Sequence, residues 1–142
     1  MIYQYPAIIF LIPFLTAICM PVVCRKNPDW CRPIALVAVF AMSLAALANL
    51  LNFLDVGETR HVFGGWLSNS NAAGVPIGIE WVNDGLASIM VVVVSLLASI
   101  CVIYGGSLVP RSLGTRVVHY HTLILLLISS LTGIVFAGDI FN

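Results

Sequence analysis

Hydrophobic positions fall into four long runs, at residues 6–24, 33–54, 86–109 and 122–141, separated by more polar stretches. None of the runs contains Lys, Arg or Glu. At about 1.5 Å per residue, even the shortest run spans about 28 Å, which is close to the roughly 30 Å thickness of the hydrocarbon core of a bilayer. The pattern therefore predicts an all-α fold with four transmembrane helices in a single transmembrane domain, 1–142, and a long loop at 55–85.

Composition places the chain in lipid rather than in water. Of the 142 residues, 61% are hydrophobic and 8% are charged, whereas a soluble domain has about 25% charged residues. A chain of this length cannot hide so much apolar surface from water, so we expect a multi-pass protein of the cell membrane in contact with the lipid bilayer. The formal net charge is zero, so no basic field favours nucleic acid as a partner.

The basic residues predict the orientation of the helices. Five of the six lie in the two short connections between runs one and two and between runs three and four: Arg25, Lys26, Arg32, Arg111 and Arg116. Only Arg60 lies in the loop 55–85. Because Lys and Arg accumulate on the cytoplasmic side, both termini and the long loop are predicted to lie outside. No basic residue precedes the first run, as a signal peptide would require, so this run is predicted to be an uncleaved anchor.

Small residues recur at helical spacing in three of the four runs. They are Ala41, Ala45 and Ala48 in the second run, Ser95 and Ser99 in the third, and Ser129, Gly133 and Ala137 in the fourth. Such stripes let membrane helices approach closely. They could serve packing within this bundle, or packing against the helices of a partner chain, and the spacing alone is compatible with both.

Candidate ion-path residues lie in or beside the fourth run. Asp139 is the acid near its end, with Thr132 on roughly the same face; it could lie at the mouth of an ion path, or simply cap a turn after Gly138. His119 and His121 open the run and could form a proton relay or an interfacial cluster with Tyr120. Imidazoles at i and i+2 do not face each other on a helix, which favours the interfacial cluster.

Other polar residues are expected to support the fold. Asn49 and Asn52 are predicted to hydrogen-bond between helices, and Asp84 is placed to cap the third helix at its N-terminus. Residues 64–66 predict a tight turn followed by an interfacial tryptophan. The four cysteines, Cys19, Cys24, Cys31 and Cys101, are expected to act as small hydrophobic residues.

The chain contains no enzyme signature. It has no phosphate-binding loop, nucleophile elbow, HExxH or CxxC motif. We therefore expect no catalytic residue, no cofactor and no metal site in this chain.

Two stretches resemble one family. Residues 61–66 (HVFGGW) and 77–88 (IGIEWVNDGLAS) are similar to the segment that leads into the third helix of the large proton-channel subunits of the complex I superfamily. Residues 131–142 (LTGIVFAGDIFN) are similar to the segment that closes their fourth helix. The family includes the D subunit of multisubunit cation/proton antiporters, antiporter-like subunits of membrane-bound hydrogenases, and quinone oxidoreductase subunits. The N-termini of its members also lie on the outer side of the membrane.

The resemblance implies a membrane subunit of a complex that moves protons or other cations such as sodium. Family members have many more helices, and their proton path uses a Glu on the fifth helix and Lys on later helices. This chain reaches Asn142 where that fifth helix would begin, and its only lysine is Lys26 in a connection. The resemblance therefore implies the N-terminal four-helix portion of a split or shortened antiporter-like subunit, with other membrane subunits as partners, one of them carrying the remaining channel helices.

Two alternatives remain open on the sequence. The chain could be a non-catalytic membrane subunit of a hydrogenase or NADH-quinone oxidoreductase complex, with the redox centres on other chains. It could also be a stand-alone four-helix scaffold like a tetraspanin. A tetraspanin-like scaffold would carry cysteine pairs in its long outer loop, and residues 55–85 contain no cysteine.

Overall fold

In a computed structural model, the chain folds into four long helices. The structure describes residues 5–25, 27–63, 79–108 and 116–138. Helix α1 is Tyr5–Val23, α2 is Cys31–Val56, α3 is Gly85–Leu108 and α4 is Arg116–Phe136. A 3-10 turn, Pro28–Trp30, leads into α2. All four helices are long and apolar enough to cross a membrane. The predicted all-α, four-helix transmembrane fold is confirmed, and the chain is a multi-pass membrane protein.

The helix bounds differ most from the sequence prediction in α4. This helix begins at Arg116, six residues before the apolar run, because polar side chains at a helix end can remain at headgroup depth while the backbone is already helical. It ends at Phe136 rather than reaching residue 141. Ala137 instead forms an isolated antiparallel β-bridge with Trp81, and that pairing replaces the next helical turn. Residues 139–142 lie outside the described residues.

The other helices start and end within two residues of the predicted bounds. Helix α2 begins at Cys31 and includes Pro33 in its first turn, where a proline removes no intrahelical hydrogen bond. Helix α1 continues through Pro13 and Pro21. The freed carbonyls of a membrane helix have to be satisfied by neighbouring groups.

The helices pack in an up-and-down bundle in which α1 contacts both α4 and α2, and α2 contacts α3. The contact between α3 and α4 is less extensive. The core is built from small and medium side chains, among them Ala17, Ala35, Ala46 and Val91, together with the larger Phe136. Small side chains at the contacts allow close approach of neighbouring membrane helices, since lipid supplies little hydrophobic drive for their association.

Two short strands, which the hydrophobic pattern does not predict, cross one end of the bundle. Strand β1, Thr59–Phe63, pairs antiparallel with β2, Ile79–Asn83, and places Thr59 opposite Asn83 and His61 opposite Trp81. Following the predicted orientation, we call this the outer end of the bundle. Both strand sequences are rich in β-branched and aromatic residues, which is typical of strands. The predicted turn at 64–66 lies outside the described residues.

Candidate functional site

A buried cluster of three polar side chains joins α2, β2 and α3 at the outer end. We call Asn49, Asn83 and Ser88 the outer amide cluster; each is at most 1% exposed. Asn49 Nδ2 donates to Asn83 Oδ1 at 2.9 Å, and Asn83 Nδ2 donates back to Asn49 Oδ1 at 3.2 Å. Ser88 Oγ donates to Asn83 Oδ1 at 3.0 Å and lies 3.4 Å from Asn49 Nδ2. The predicted role of Asn49 as a hydrogen-bonding residue between helices is confirmed.

The outer amide cluster has a structural rather than a catalytic chemistry. Its amides and hydroxyl do not titrate near neutral pH, and they satisfy one another inside an apolar core. Thr59 of β1 extends the cluster, because Asn83 Nδ2 lies 3.5 Å from its Oγ1. The cluster therefore fixes both strands to the two long helices beneath them.

Asp84 caps the helix that starts beside this cluster. Its Oδ1 accepts a hydrogen bond from the Ala87 backbone N–H at 2.7 Å, and its carbonyl accepts one from the Ser88 N–H at 3.0 Å. A carboxylate at this position satisfies a free N–H of the first turn and favourably meets the positive end of the helix dipole. The predicted N-cap is confirmed.

An aromatic cluster of Phe10, Trp81 and Phe136 fastens the strands to the other half of the bundle. The Trp81 ring stacks on Phe136 with the centroids 6.1 Å apart and meets the edge of Phe10 at 5.5 Å. The backbone of Trp81 also pairs with Ala137 just beyond α4. One residue of β2 thus contacts α1 and the end of α4, while Asn83, two positions on, contacts α2.

The residues of the small-residue stripes lie only partly at contacts within the bundle. Ser95 and Ser129 are buried, and Ser99 lies 3.2 Å, hydroxyl to hydroxyl, from Ser43 of α2. Gly133 lies against Phe10 of α1: a Cβ at this position would be 3.4 Å from the Phe10 ring. Ala41, Ala45 and Ala48 on α2 are half-buried, and Ala137 takes part in the β-bridge rather than in a helix contact. The serines and Gly133 therefore contact other parts of this chain.

The two histidines at the start of α4 lie on different faces. His119 is exposed and His121 is buried. The Nδ1 atom of His121 lies 2.9 Å from the Val117 carbonyl, so this nitrogen is the donor. Its Nε2 atom is buried with no hydrogen-bond partner within the described part of the chain. The ring meets the edge of Tyr120, with centroids 5.2 Å apart.

The remaining ion-path candidates do not join the histidines. Thr132 is fully buried and donates to the Ser129 carbonyl at 2.7 Å, but it lies eleven positions beyond His121, about 16 Å along the helix. Leu125 and Ile128 separate His121 from Ser129 and Thr132 on the buried face of the helix. Asp139 lies outside the described residues. The polar side chains of the described part of α4 are therefore separated by apolar ones and do not form a continuous polar path along the helix.

The cysteines are free thiols, with Cys19 and Cys101 exposed and Cys24 and Cys31 buried. Cys24 Sγ lies 3.5 Å from the Met20 sulfur within α1. The described residues hold no cluster of three or more His, Cys, Asp or Glu side chains that could bind a metal ion.

These contacts define a four-helix membrane unit with a strand pair over its outer end. Known proteins resemble this chain in sequence and in fold. The chain is 29% identical over 142 residues to NADH-quinone oxidoreductase subunit N of Desulforudis audaxviator (strain MP104C), an alignment that covers 96% of this chain and 26% of that protein. No family model matches the chain.

The fold also matches a solved structure, that of the membrane-bound sulfane sulfur reductase, an archaeal respiratory membrane complex. The TM-score is 0.80 at 22% identity, and the match covers 98% of this chain and 27% of the other. The resemblance to an antiporter-type subunit of the complex I superfamily is confirmed, and the chain spans about a quarter of the length of the proteins it matches.

The residues that sequence reasoning misses are Asn83 and Trp81. Both lie in the stretch 77–88 that carries the family resemblance, but their separate roles depend on the strand pairing. The available signal is the alternation within β2, which sends Trp81 and Asn83 to the same face of the strand. An aromatic and an amide on one face, immediately before a membrane helix, indicate a face that is covered.

Proposed function

We propose that this chain is a structural membrane subunit of a cation- or proton-translocating complex of the complex I type, and that it packs against a partner carrying the channel residues. One observation carries the proposal. Over almost the whole chain, the bundle has the fold of a membrane subunit of a respiratory complex, that of the membrane-bound sulfane sulfur reductase.

The chemistry of the helices agrees with a supporting role. Moving protons through a membrane requires titratable side chains in its interior, and the four helices contain neither Glu nor Lys. The buried polar groups of the described residues are mainly amides and hydroxyls that bond to one another or to their own backbone, and His121 is isolated from them. The function assigned to this chain is therefore structural: it holds a helix bundle and the strand pair at its outer end in place.

The test is purification of the tagged chain from its native membrane in a mild detergent, followed by identification of the proteins that accompany it. The expected partner is a polytopic membrane protein with Glu and Lys inside its helices, together with small membrane subunits. Recovery of the chain alone, as a monomer, would contradict the proposal and favour a stand-alone scaffold.

A second candidate is a membrane subunit of an oxidoreductase complex whose redox centres lie on other chains. The observation that favours it is the match to NADH-quinone oxidoreductase subunit N. In the same purification, accompanying subunits that carry iron–sulfur clusters or nickel would select this candidate over an antiporter. The ion moved is then measured on the purified complex in vesicles, with sodium and proton gradients applied separately.

A further inference from the structure

Three sulfur-bearing side chains meet at the inner end of the bundle, opposite the strand pair. Met20, Cys24 and Cys31, which we call the inner sulfur cluster, are each at most 1% exposed. Cys24 Sγ lies 3.5 Å from the Met20 sulfur, and the Cys31 thiol interacts with that of Cys24. Two thiols and a thioether are thus brought together inside the core, although the two cysteines lie at the ends of different helices.

Helical periodicity produces this meeting. Ala17, Met20 and Cys24 follow one another at spacings of three and four, so they share the buried face at the end of α1. The Cys24 N–H bonds to the Met20 carbonyl, which keeps their side chains one turn apart. After the connection, Cys31 is the first residue of α2 and the first on its buried face. Motif spacing does not register a methionine ligand, so the sequence analysis expects no metal here.

We propose that the inner sulfur cluster binds one soft monovalent metal ion, Cu(I), through the sulfur atoms of Met20, Cys24 and Cys31. Thiolate and thioether ligands select Cu(I). At a metal–sulfur distance of about 2.3 Å, as in zinc–thiolate bonds, three ligands around one metal place their sulfurs about 4 Å apart. The 3.5 Å between Cys24 and Met20 therefore needs only a small adjustment.

Zinc suits this donor set less well than Cu(I). Structural zinc sites have four ligands, drawn mainly from cysteine and histidine. Within the described part of the chain, no His, Asp or Glu joins the two cysteines in a group that could hold a metal. Two thiolates and a thioether therefore favour an ion that accepts a low number of soft ligands.

The charges around the cluster also suit this ion. Binding releases the proton of each thiol, so one Cu(I) and two thiolates carry one net negative charge. Each cysteine is followed directly by an arginine, Arg25 and Arg32. With Lys26, these outnumber Asp29, the single acid of the connection. Positive charge beside the cluster stabilises its net negative charge, and the bound ion joins the end of α1 to the start of α2.

The chain supplies its own control, because its other two cysteines, Cys19 and Cys101, are exposed. The full chain is purified in detergent under reducing conditions, and Cu(I) is titrated in competition with a chromophoric Cu(I) chelator. We expect one Cu(I) per chain, both in the native protein and in the variant with Cys19→Ala and Cys101→Ala. Cys24→Ala with Cys31→Ala should lose at least about a hundredfold in affinity, since even an outer-shell residue contributes about 10–100-fold.

Met20→Leu distinguishes a three-sulfur site from a pair of thiols. Leucine keeps the volume of methionine and removes only the third sulfur, so we expect a loss of about tenfold, the lower end of the same range. X-ray absorption at the copper edge should show three sulfur ligands in the native protein and two in this variant. Cu(I) should also raise the thermal unfolding midpoint of the native chain, but not that of the variant lacking Cys24 and Cys31.

Three results would each overturn the proposal. The first is a native chain that takes up no Cu(I) under reducing conditions. The second is binding that survives the loss of Cys24 and Cys31 but disappears with Cys19 and Cys101, which would place the metal on the exposed thiols. The third is a native sulfur count that Met20→Leu leaves unchanged. Circular dichroism checks that each variant keeps its helix content, and the ligand count of the native protein does not depend on any variant.

Discussion

Asn49 and Asn83 exchange two amide hydrogen bonds, at 2.9 and 3.2 Å, across thirty-four positions of sequence. Replacing Asn49 by Ala removes both and leaves the Asn83 amide short of partners in an apolar core. Hydrogen bonds between membrane helices contribute about 0.6 kcal/mol on average, and a buried unsatisfied group costs about 1–3 kcal/mol. We expect Asn49→Ala to lower the free energy of unfolding in detergent by about 1–2 kcal/mol.

The double variant Asn49→Ala with Asn83→Ala provides the control for this pair. Because the second substitution removes a group that the first has already left unpaired, the combined loss should be smaller than the sum of the single losses. Ser130→Ala, at an exposed serine that bonds only to its own helix, should have little effect. Strict additivity of the two asparagine substitutions would show that they do not act as a pair.

Asp84 offers a comparison of two substitutions at one helix cap. Asp84→Ala removes the acceptor of the Ala87 N–H, so we expect a loss of about 1 kcal/mol in unfolding free energy. Asp84→Asn keeps an oxygen acceptor at the cap, and asparagine is about as good as aspartate there. Its loss should therefore be only a few tenths of a kcal/mol. Equal losses would mean that the charge of Asp84, and not its hydrogen bond, stabilises the helix.

Gly133 and Phe10 form a second testable pair. A Cβ at position 133 would lie 3.4 Å from the Phe10 ring, at ordinary contact distance, so the additional carbons of a leucine would crowd this ring, and overpacking typically costs about 1–3 kcal/mol. We expect Gly133→Leu to destabilise the isolated chain by an amount in this range, and Phe10→Ala to recover part of the loss by making room. A substitution at the neighbouring Ile134, which is 71% exposed, should be tolerated. Failure of Phe10→Ala to compensate would place the clash elsewhere.

The predicted orientation is best tested with new cysteines. The native Cys24 and Cys31 are buried, so their failure to react from outside would not report which side they are on. Asn27→Cys lies in the connection between α1 and α2, Glu58→Cys lies beside β1, and both positions are exposed. In intact cells a membrane-impermeant maleimide should label Glu58→Cys and not Asn27→Cys, and both should react after permeabilisation. The reverse pattern would invert the topology.

A substitution at Asp139 tests whether a charge near the end of the fourth hydrophobic run affects transport. Asparagine retains most of the turn chemistry of aspartate but removes the charge. We expect Asp139→Asn to leave assembly intact and to change cation-dependent transport by the complex less than about twofold, which corresponds to about 0.4 kcal/mol. A larger loss of transport with normal assembly would assign Asp139 an electrostatic role at an ion path.

The helices could be predicted from sequence because lipid imposes a length and an apolar composition that few other structures share. The cap at Asp84 and the bonding role of Asn49 followed from residue type and position. The strands could not be predicted in the same way, since 59–63 and 79–83 gain their pairing from residues about twenty positions away. The same applies to Gly133: its spacing indicated a close contact, but only the structure identified Phe10 as the neighbour.

The bridge between Trp81 and Ala137 has a consequence for the order in which the molecule forms. Membrane helices enter the bilayer as they are synthesised, so α1, α2, both strands and α3 are all present before residue 137 leaves the ribosome. The outer amide cluster can then form early, as soon as α2, β2 and the start of α3 are in place. The aromatic cluster must wait for Phe136. Trp81 thus joins an early-forming part of the bundle to a late-arriving helix, and until α4 is inserted its ring packs against Phe10 without the stacked Phe136.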